Sequence, residues 1–340
     1  MRKVFLAGLV PEFVPTILGL MITAPLSLLY AQGSAGGARI IEEGLPPVVI
    51  HATVGAAVSA RESHGHSGGG SNSKNLDYHG GSGGIGVETA PKIYLVLWGA
   101  QWNKNDPSGE AAILENFYTG VGGSSWLNSV TQYCQGVASG TVFCKGAGAA
   151  AGNPSGIFAD TAAYVWSDNA TSAPARPTQL QLASEAVNAA KHFGNTTSTS
   201  NANVQYVIAT ASGNNASGFG TQYCAWHSST SSSVGNVAYT NLPYITDAGG
   251  SCGANFNGLG PNAGITIVGG HEMAETITDP FPNTGWLDSG GEEIGDKCAW
   301  ITSGQGASAD ISLSTGTFAV QSLWSNAFNS DAGSCVISYP

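Results

Sequence analysis

The succession of strand, helix and strand through the middle of the chain limits what it can fold into more than any other feature. Lys92-Ile93-Tyr94-Leu95-Val96-Leu97-Trp98 is an apolar run of β-branched and aromatic residues, which suits a strand buried on both faces. Residues 179–193 are rich in Ala, Leu, Glu and Lys and run into Gly194, which predicts a helix with a glycine stop. Residues 203–211 (NVQYVIATA) return to strand character. Elements in this order bury their apolar faces by layering, so the expected class is α/β or α+β. The chain is expected to form a single layered domain with a mixed central sheet. Further helices are expected at 111–118 and up to Tyr133, and short strands at 162–167 and 237–245. The apolar pieces 317–324 and 334–338 read as a terminal strand pair tying the C-terminus into the sheet, and 141–144 as a hairpin edge.

Arg2 and Lys3 precede a mostly apolar stretch, residues 13–31, that ends in Ala31-Gln32-Gly33-Ser34. This is the build of a secretory signal peptide over 1–31, with cleavage expected near Ala31. Six cysteines in an exported chain read as three disulfides, for which nearest-neighbour pairing is expected: Cys134–Cys144, Cys224–Cys252 and Cys298–Cys335. Residues 32–75 read as a Gly/Ser-rich linker or pro-segment, in which 46–60 is a strand or a pro-segment remnant and His64 and His66 are solvated. The globular domain is expected over 76–340. With a net charge of −11 and no basic patch, the composition argues against nucleic acid or an anionic membrane as partner, and a monomer is expected.

Only 10% of the chain is charged, yet seven of its 22 acidic residues fall between Glu272 and Asp296. They follow His271-Glu272-Met273-Ala274-Glu275, which comes after an apolar run, Ile265 to Val268, and Gly269-Gly270. The apolar run reads as a strand, and the five residues after the glycines as a helix. On that helix His271 and Glu275, at i and i+4, project from one face with Glu272 beside them. Zinc peptidases use this geometry in H-E-x-x-H, where the outer side chains bind metal and the inner Glu is the general base. Here the second His is a Glu, which also coordinates zinc. The bland alternative is a helix start whose acids suit the positive end of its dipole.

A zinc hydrolase needs a third ligand. Glu292 and Glu293 lie 21 and 22 residues beyond His271, where zinc peptidases of the thermolysin type place a ligand Glu; Asp296, Asp288 and His227 are rivals. His227, beside Cys224, reads as a metal ligand, a proton carrier or a structural histidine. Because the candidate ligands are mostly carboxylates, calcium in a structural role competes with zinc. Paired carboxylates alone, Glu272 with Glu293 or Asp296, would serve acid–base chemistry, and the tryptophans would suit a sugar cleft. No G-x-S-x-G elbow supports serine chemistry.

Several separated stretches together resemble the phosphate-induced protein 1 / EXORDIUM-like secreted proteins. They are Tyr78-His79-Gly80-Gly81, Leu97-Trp98-Gly99 with Trp102, Ser125-Trp126 with Tyr133, and Cys224-Ala225-Trp226-His227. After these come HEMAE with Asp279-Pro280, Gly285-Trp286, Glu293-Ile294-x-Asp296-x-Cys298, and Val320-Gln321-x-x-Trp324. The set covers about 76–340 in the family's order, although the Gly/Ser/Ala insertions are longer than in plant members. The resemblance implies secretion to a wall or extracellular space, and it points to Glu293 with Asp296; it implies no established reaction. The expected function is an exported zinc peptidase acting on a peptide or cell-wall polymer. His271, Glu275, Glu293 and Asp296 would hold the metal, Glu272 would be the base on a metal-bound water, and His227 would assist. The alternative is a non-catalytic extracellular or wall-associated protein.

Overall fold

The period-two alternation of two central strands sets the layers. In β5 (Lys92–Trp98), Ile93, Leu95 and Leu97 join one apolar cluster, while Tyr94, Val96 and Trp98 join another on the opposite face. β9 (Val204–Thr210) divides likewise, with Val207 and Ala209 on the first face and Tyr206 and Ile208 on the second. The computed structural model describes residues 30–32, 39–41, 46–57, 75–158 and 161–340. Residues 1–29 of the expected signal segment, His64 and His66 lie outside the described residues. Ala31, its expected end, falls in the outermost strand.

The main sheet has eight strands: β1 (Tyr30–Gln32), β2 (Arg39–Ile41), β3 (Val48–Ala52), β5, β8 (Val165–Asp168), β9, β10 (Tyr223–Ser232) and β11 (Gly235–Leu242). Their spatial order is β1-β2-β3-β10-β11-β9-β5-β8. The pairs β8–β5, β5–β9 and β9–β11 are parallel, and the β10–β11 hairpin and the strands beyond it are antiparallel. The sheet is therefore mixed, as expected. Two-stranded ribbons complete the strands: β4 (Asp77–Tyr78) with β12 (Trp286–Leu287), and β6 (Cys134–Gln135) with β7 (Ala149–Ala150). β13 (Ala309–Leu313) pairs with β14 (Gly316–Val320), and β15 (Leu323–Ser325) with β16 (Ser334–Val336).

Three long helices cover the sheet. α1 (Glu110–Val121) and α3 (Ala263–Thr278) lie in the first apolar cluster, and α2 (Gln179–His192) in the second. α2 starts with a capping box: Thr178 Oγ1 accepts from the Gln181 N–H, and Gln181 Oε1 accepts from the Thr178 N–H. His192, in its last turn, stacks on Trp166 with ring centroids 4.3 Å apart. The three disulfides are Cys134–Cys144, Cys224–Cys252 and Cys298–Cys335.

Four local expectations are corrected. Ile265 to Val268 is not a strand but the opening of α3, every residue of which is buried. Its glycines sit inside the helix because α1 and its neighbours press against them: a Cβ on Gly269 would lie 3.1 Å from Tyr118 Oη, and one on Gly270 would lie 3.0 Å from the Trp126 ring. Continuous apolar sequence is shared by buried strands and buried helices, so periodicity does not separate the two. At 162–167 a helical turn (Thr161–Tyr164) precedes β8. Residues 141–144 form no strand. The C-terminal strands form separate ribbons with β13 and with each other instead of joining the main sheet. Of the two readings of 46–60, strand is the one observed over Val48–Ala52, and it places part of the sheet ahead of residue 76.

Candidate metal centre

Four elements converge below the sheet. α3 supplies His271, Glu272 and Glu275, and β10 supplies His227. The loop after β12 supplies Glu293 and Asp296, and β3 supplies His51. All seven side chains are buried, none exposed by more than 2%. The strand register explains the two histidines from the sheet. His51 stands opposite Ala225 and Val49 opposite His227, so two-residue alternation puts both imidazoles on the face toward α3.

The loop is held by local bonds. Pro280 cannot continue α3, and the Asp279 carboxylate accepts from the backbone N–H groups of Asn283, Thr284 and Gly285 at 2.7, 3.1 and 2.6 Å. Further on, Asp288 accepts from the Glu292 N–H at 3.0 Å and pairs with Lys297 at 2.6 Å. Asp288 is thus engaged outside the centre, and Glu292 is only half-buried, whereas Glu293 is fully buried inside it. Asp296 then closes the loop onto the helix: its N–H donates to Glu275 Oε1 at 3.0 Å, and its Oδ2 accepts from the Glu293 N–H at 3.3 Å. Asn262, which precedes α3, makes no side-chain cap, and Thr266 Oγ1 instead ties the first turns to the Ala319 carbonyl at 2.6 Å.

Every residue expected in the site is therefore brought together. His271 Nε2 lies 3.0 Å from Glu275 Oε2 and 3.7 Å from Asp296 Oδ1. His227 Nε2 lies 3.2 Å from Glu293 Oε2 and 3.7 Å from Glu275 Oε2. Three overlapping sets, His271 with Glu275 and Asp296, His227 with Glu272 and Glu275, and His51 with His271 and Glu272, each have ligand atoms within 4.8 Å of one another. Donors about 2.0–2.1 Å from a tetrahedral ion stand about 3.3 Å apart, so these separations match a small cation's coordination sphere.

The electrostatics suit a cation as well. Four carboxylates share this buried volume, and the one lysine ion pair among the described residues, Lys297 with Asp288, lies beside it. His271 Nε2, Glu275 Oε2 and Asp296 Oδ1 are buried without a hydrogen-bond partner. Burying such groups unpaired is costly unless an ion or proton joins them. Burial, and next the Glu275 charge, push Glu272 and Asp296 well above the ordinary carboxylate range. Both Glu272 oxygens lack a hydrogen bond of good geometry, although the His51 backbone lies against them.

Two residues of the centre escaped sequence reasoning. Gln321, between β14 and β15, holds His271 Nδ1 at 3.1 Å; the sequence marks it only within the Val320-Gln321-x-x-Trp324 stretch, with no role in the site. His51 stacks face to face on His271, with centroids 3.8 Å apart and planes 7° from parallel, and Trp300 stacks on its other side at 4.8 Å. Its signal is a histidine inside the apolar run VVIHA. Burial and then the His271 charge hold its pKa well below the ordinary imidazole value, so it is neutral. Among the described residues no helix is long and apolar enough to cross a membrane. No protein-family model matches the chain, and no curated protein or solved structure is significantly similar to it.

Proposed function

We propose that the protein is an extracellular zinc-dependent peptidase whose centre is built from His271, Glu275, His227, Glu293 and Asp296. The observation that carries this reading is the convergence of two imidazole nitrogens and three carboxylates, 3.0–3.7 Å apart, with no basic side chain to neutralise them. Two imidazoles favour zinc over calcium, which prefers an all-oxygen shell. Bound zinc would supply Lewis acidity, polarising the scissile carbonyl and acidifying a water.

The chain's own residues supply the rest. Glu272 adjoins His271 on α3, within 4.8 Å of ligand atoms of both His271 and His227. It accepts the proton of the attacking water as the new C–O bond forms, then returns it to the leaving nitrogen as the C–N bond breaks. His227, against Glu293 and Glu275, orients both carboxylates. Three disulfides and the resemblance to EXORDIUM-like secreted proteins support the extracellular setting.

Complete burial favours a second reading, a structural cation in a non-catalytic binding protein. Elemental analysis of the purified protein with Glu272→Gln as control separates the two. About one zinc per chain, with peptide hydrolysis lost in Glu272→Gln while zinc is retained, supports the peptidase. Zinc or calcium with no hydrolysis of any peptide supports the structural reading, and absence of any bound metal sinks both.

A further inference from the structure

The three sets of side chains able to hold an ion differ in what they share. His271 with Glu275 and Asp296, and His51 with His271 and Glu272, both draw on the ring of His271. Its Nδ1 is engaged by Gln321 at 3.1 Å, which leaves Nε2 for both sets, and one nitrogen lone pair takes one ion. These two sets therefore exclude each other. The remaining set, His227 with Glu272 and Glu275, meets each of them only at a carboxylate. A carboxylate has two oxygens and can bridge two ions. The His227 set can therefore be filled while an ion sits at His271.

Distances support two positions. Glu275 Oε2 is within reach of both imidazoles, 3.0 Å from His271 Nε2 and 3.7 Å from His227 Nε2. Each histidine has a further carboxylate of its own: Asp296 Oδ1 is 3.7 Å from His271 Nε2, and Glu293 Oε2 is 3.2 Å from His227 Nε2. The two histidines also hang from separate elements, α3 and β10. Charge points the same way. Glu272, Glu275, Glu293 and Asp296 are at most 2% exposed, so one divalent ion leaves two carboxylate charges uncompensated in a buried volume, and two ions leave none.

We propose that the centre contains a second cation site, formed by His227, Glu293 and Glu272 and bridged to the first by Glu275, that takes a second zinc ion and silences the enzyme. The second ion binds more weakly, because it enters beside a divalent charge already in place. Bound there, it occupies the carboxylate that would otherwise accept the water proton. This rests on the zinc reading of the His271 set, but the binding itself requires no hydrolysis.

The test titrates the chelator-stripped full chain with zinc alone, reading bound zinc per chain by equilibrium dialysis and hydrolysis of a mixed peptide library in parallel. Bound zinc should rise in two steps, to one and then to two per chain. Hydrolysis should appear with the first step and fall about 100-fold with the second, the usual worth of a general base. His227→Ala should stop at one zinc per chain. X-ray absorption of the parent at two equivalents should show a zinc–zinc separation of about 3.5–4 Å, a readout that stays decisive if His227→Ala does not fold. Two bound zincs at that separation, with no hydrolysis at any loading, support the second site while removing the peptidase reading. Saturation at one zinc with hydrolysis intact overturns the second site and leaves that reading standing. A second zinc that His227→Ala still binds, that lacks the short separation or that spares hydrolysis also overturns it, and absence of zinc overturns both.

Discussion

The side-chain carbonyl of Gln321 accepts the Nδ1 proton of His271 at 3.1 Å, and this contact turns Nε2 toward the carboxylates. The amide cannot be turned the other way, because its Nε2 donates to the Gly295 carbonyl at 2.7 Å and to the Ser322 carbonyl at 3.3 Å. His271 Nε2 therefore faces Glu275 Oε2, 3.0 Å away, where either a proton or a metal cation pairs the two. Replacing Gln321 by Leu should leave the fold intact and weaken zinc binding about 10- to 100-fold. Competition with a chromogenic chelator measures this, and an unchanged affinity would show that the amide does not set the tautomer.

Gly295 marks the closest approach of the acidic loop to the helix. A Cβ there would lie 2.6 Å from His271 Nδ1 and 3.0 Å from Glu275 Oε1. Gly295→Ala should push the loop away from α3 and lower zinc stoichiometry. The melting temperature of the metal-free protein should fall by only a few degrees. Full zinc occupancy in the variant would mean that the loop yields without cost.

Inside α3, Gly270→Ala sets two effects against each other. Alanine gains about 1 kcal/mol of helix propensity, but its methyl would meet Trp126 at 3.0 Å and Phe117 at 3.1 Å. Overpacking of this kind costs about 1–3 kcal/mol, so the variant should be less stable than the parent. A urea midpoint at or above that of the parent would contradict this.

Stability should fall as the solution becomes more alkaline. Burial raises both Glu88 and Glu110 from 4.5 to about 8, although Gln205 donates to the first and the backbone of Ile245 and Thr246 to the second. Between these values the folded protein keeps protons that the unfolded chain releases, so the unfolding free energy declines with pH by up to about 1.4 kcal/mol per unit per group. Glu88→Gln keeps an acceptor for Gln205 and should reduce the difference in urea midpoint between pH 5 and pH 8. An undiminished difference would show that Glu88 is not its source.

Much of this architecture can be read from residues that answer to local rules. The strand at 92–98 and the helix at 179–192 follow from burial on both faces and from capping, and the pairing of the cysteines follows chain order. His271, Glu272 and Glu275 are legible because a helix fixes their spacing, and Glu293 and Asp296 because acids are rare in this sequence. What sequence conceals is long-range register. Nothing near His51 announces that its strand pairs with β10, 174 positions further along at Ala225. Nothing beside Gln321 announces a histidine 50 residues upstream. The opening of α3 is hidden for a related reason, since burial on every side erases the amphipathic period.

The glycines of α3 also decide where the molecule can yield. With Tyr118, Phe117 and Trp126 seated against its bare backbone, the helix that carries His271 is fastened to the interior. Widening that joint would break ring-to-backbone contacts at two consecutive residues directly before His271, so the position of the first candidate ligand is set by the packing of three aromatic rings.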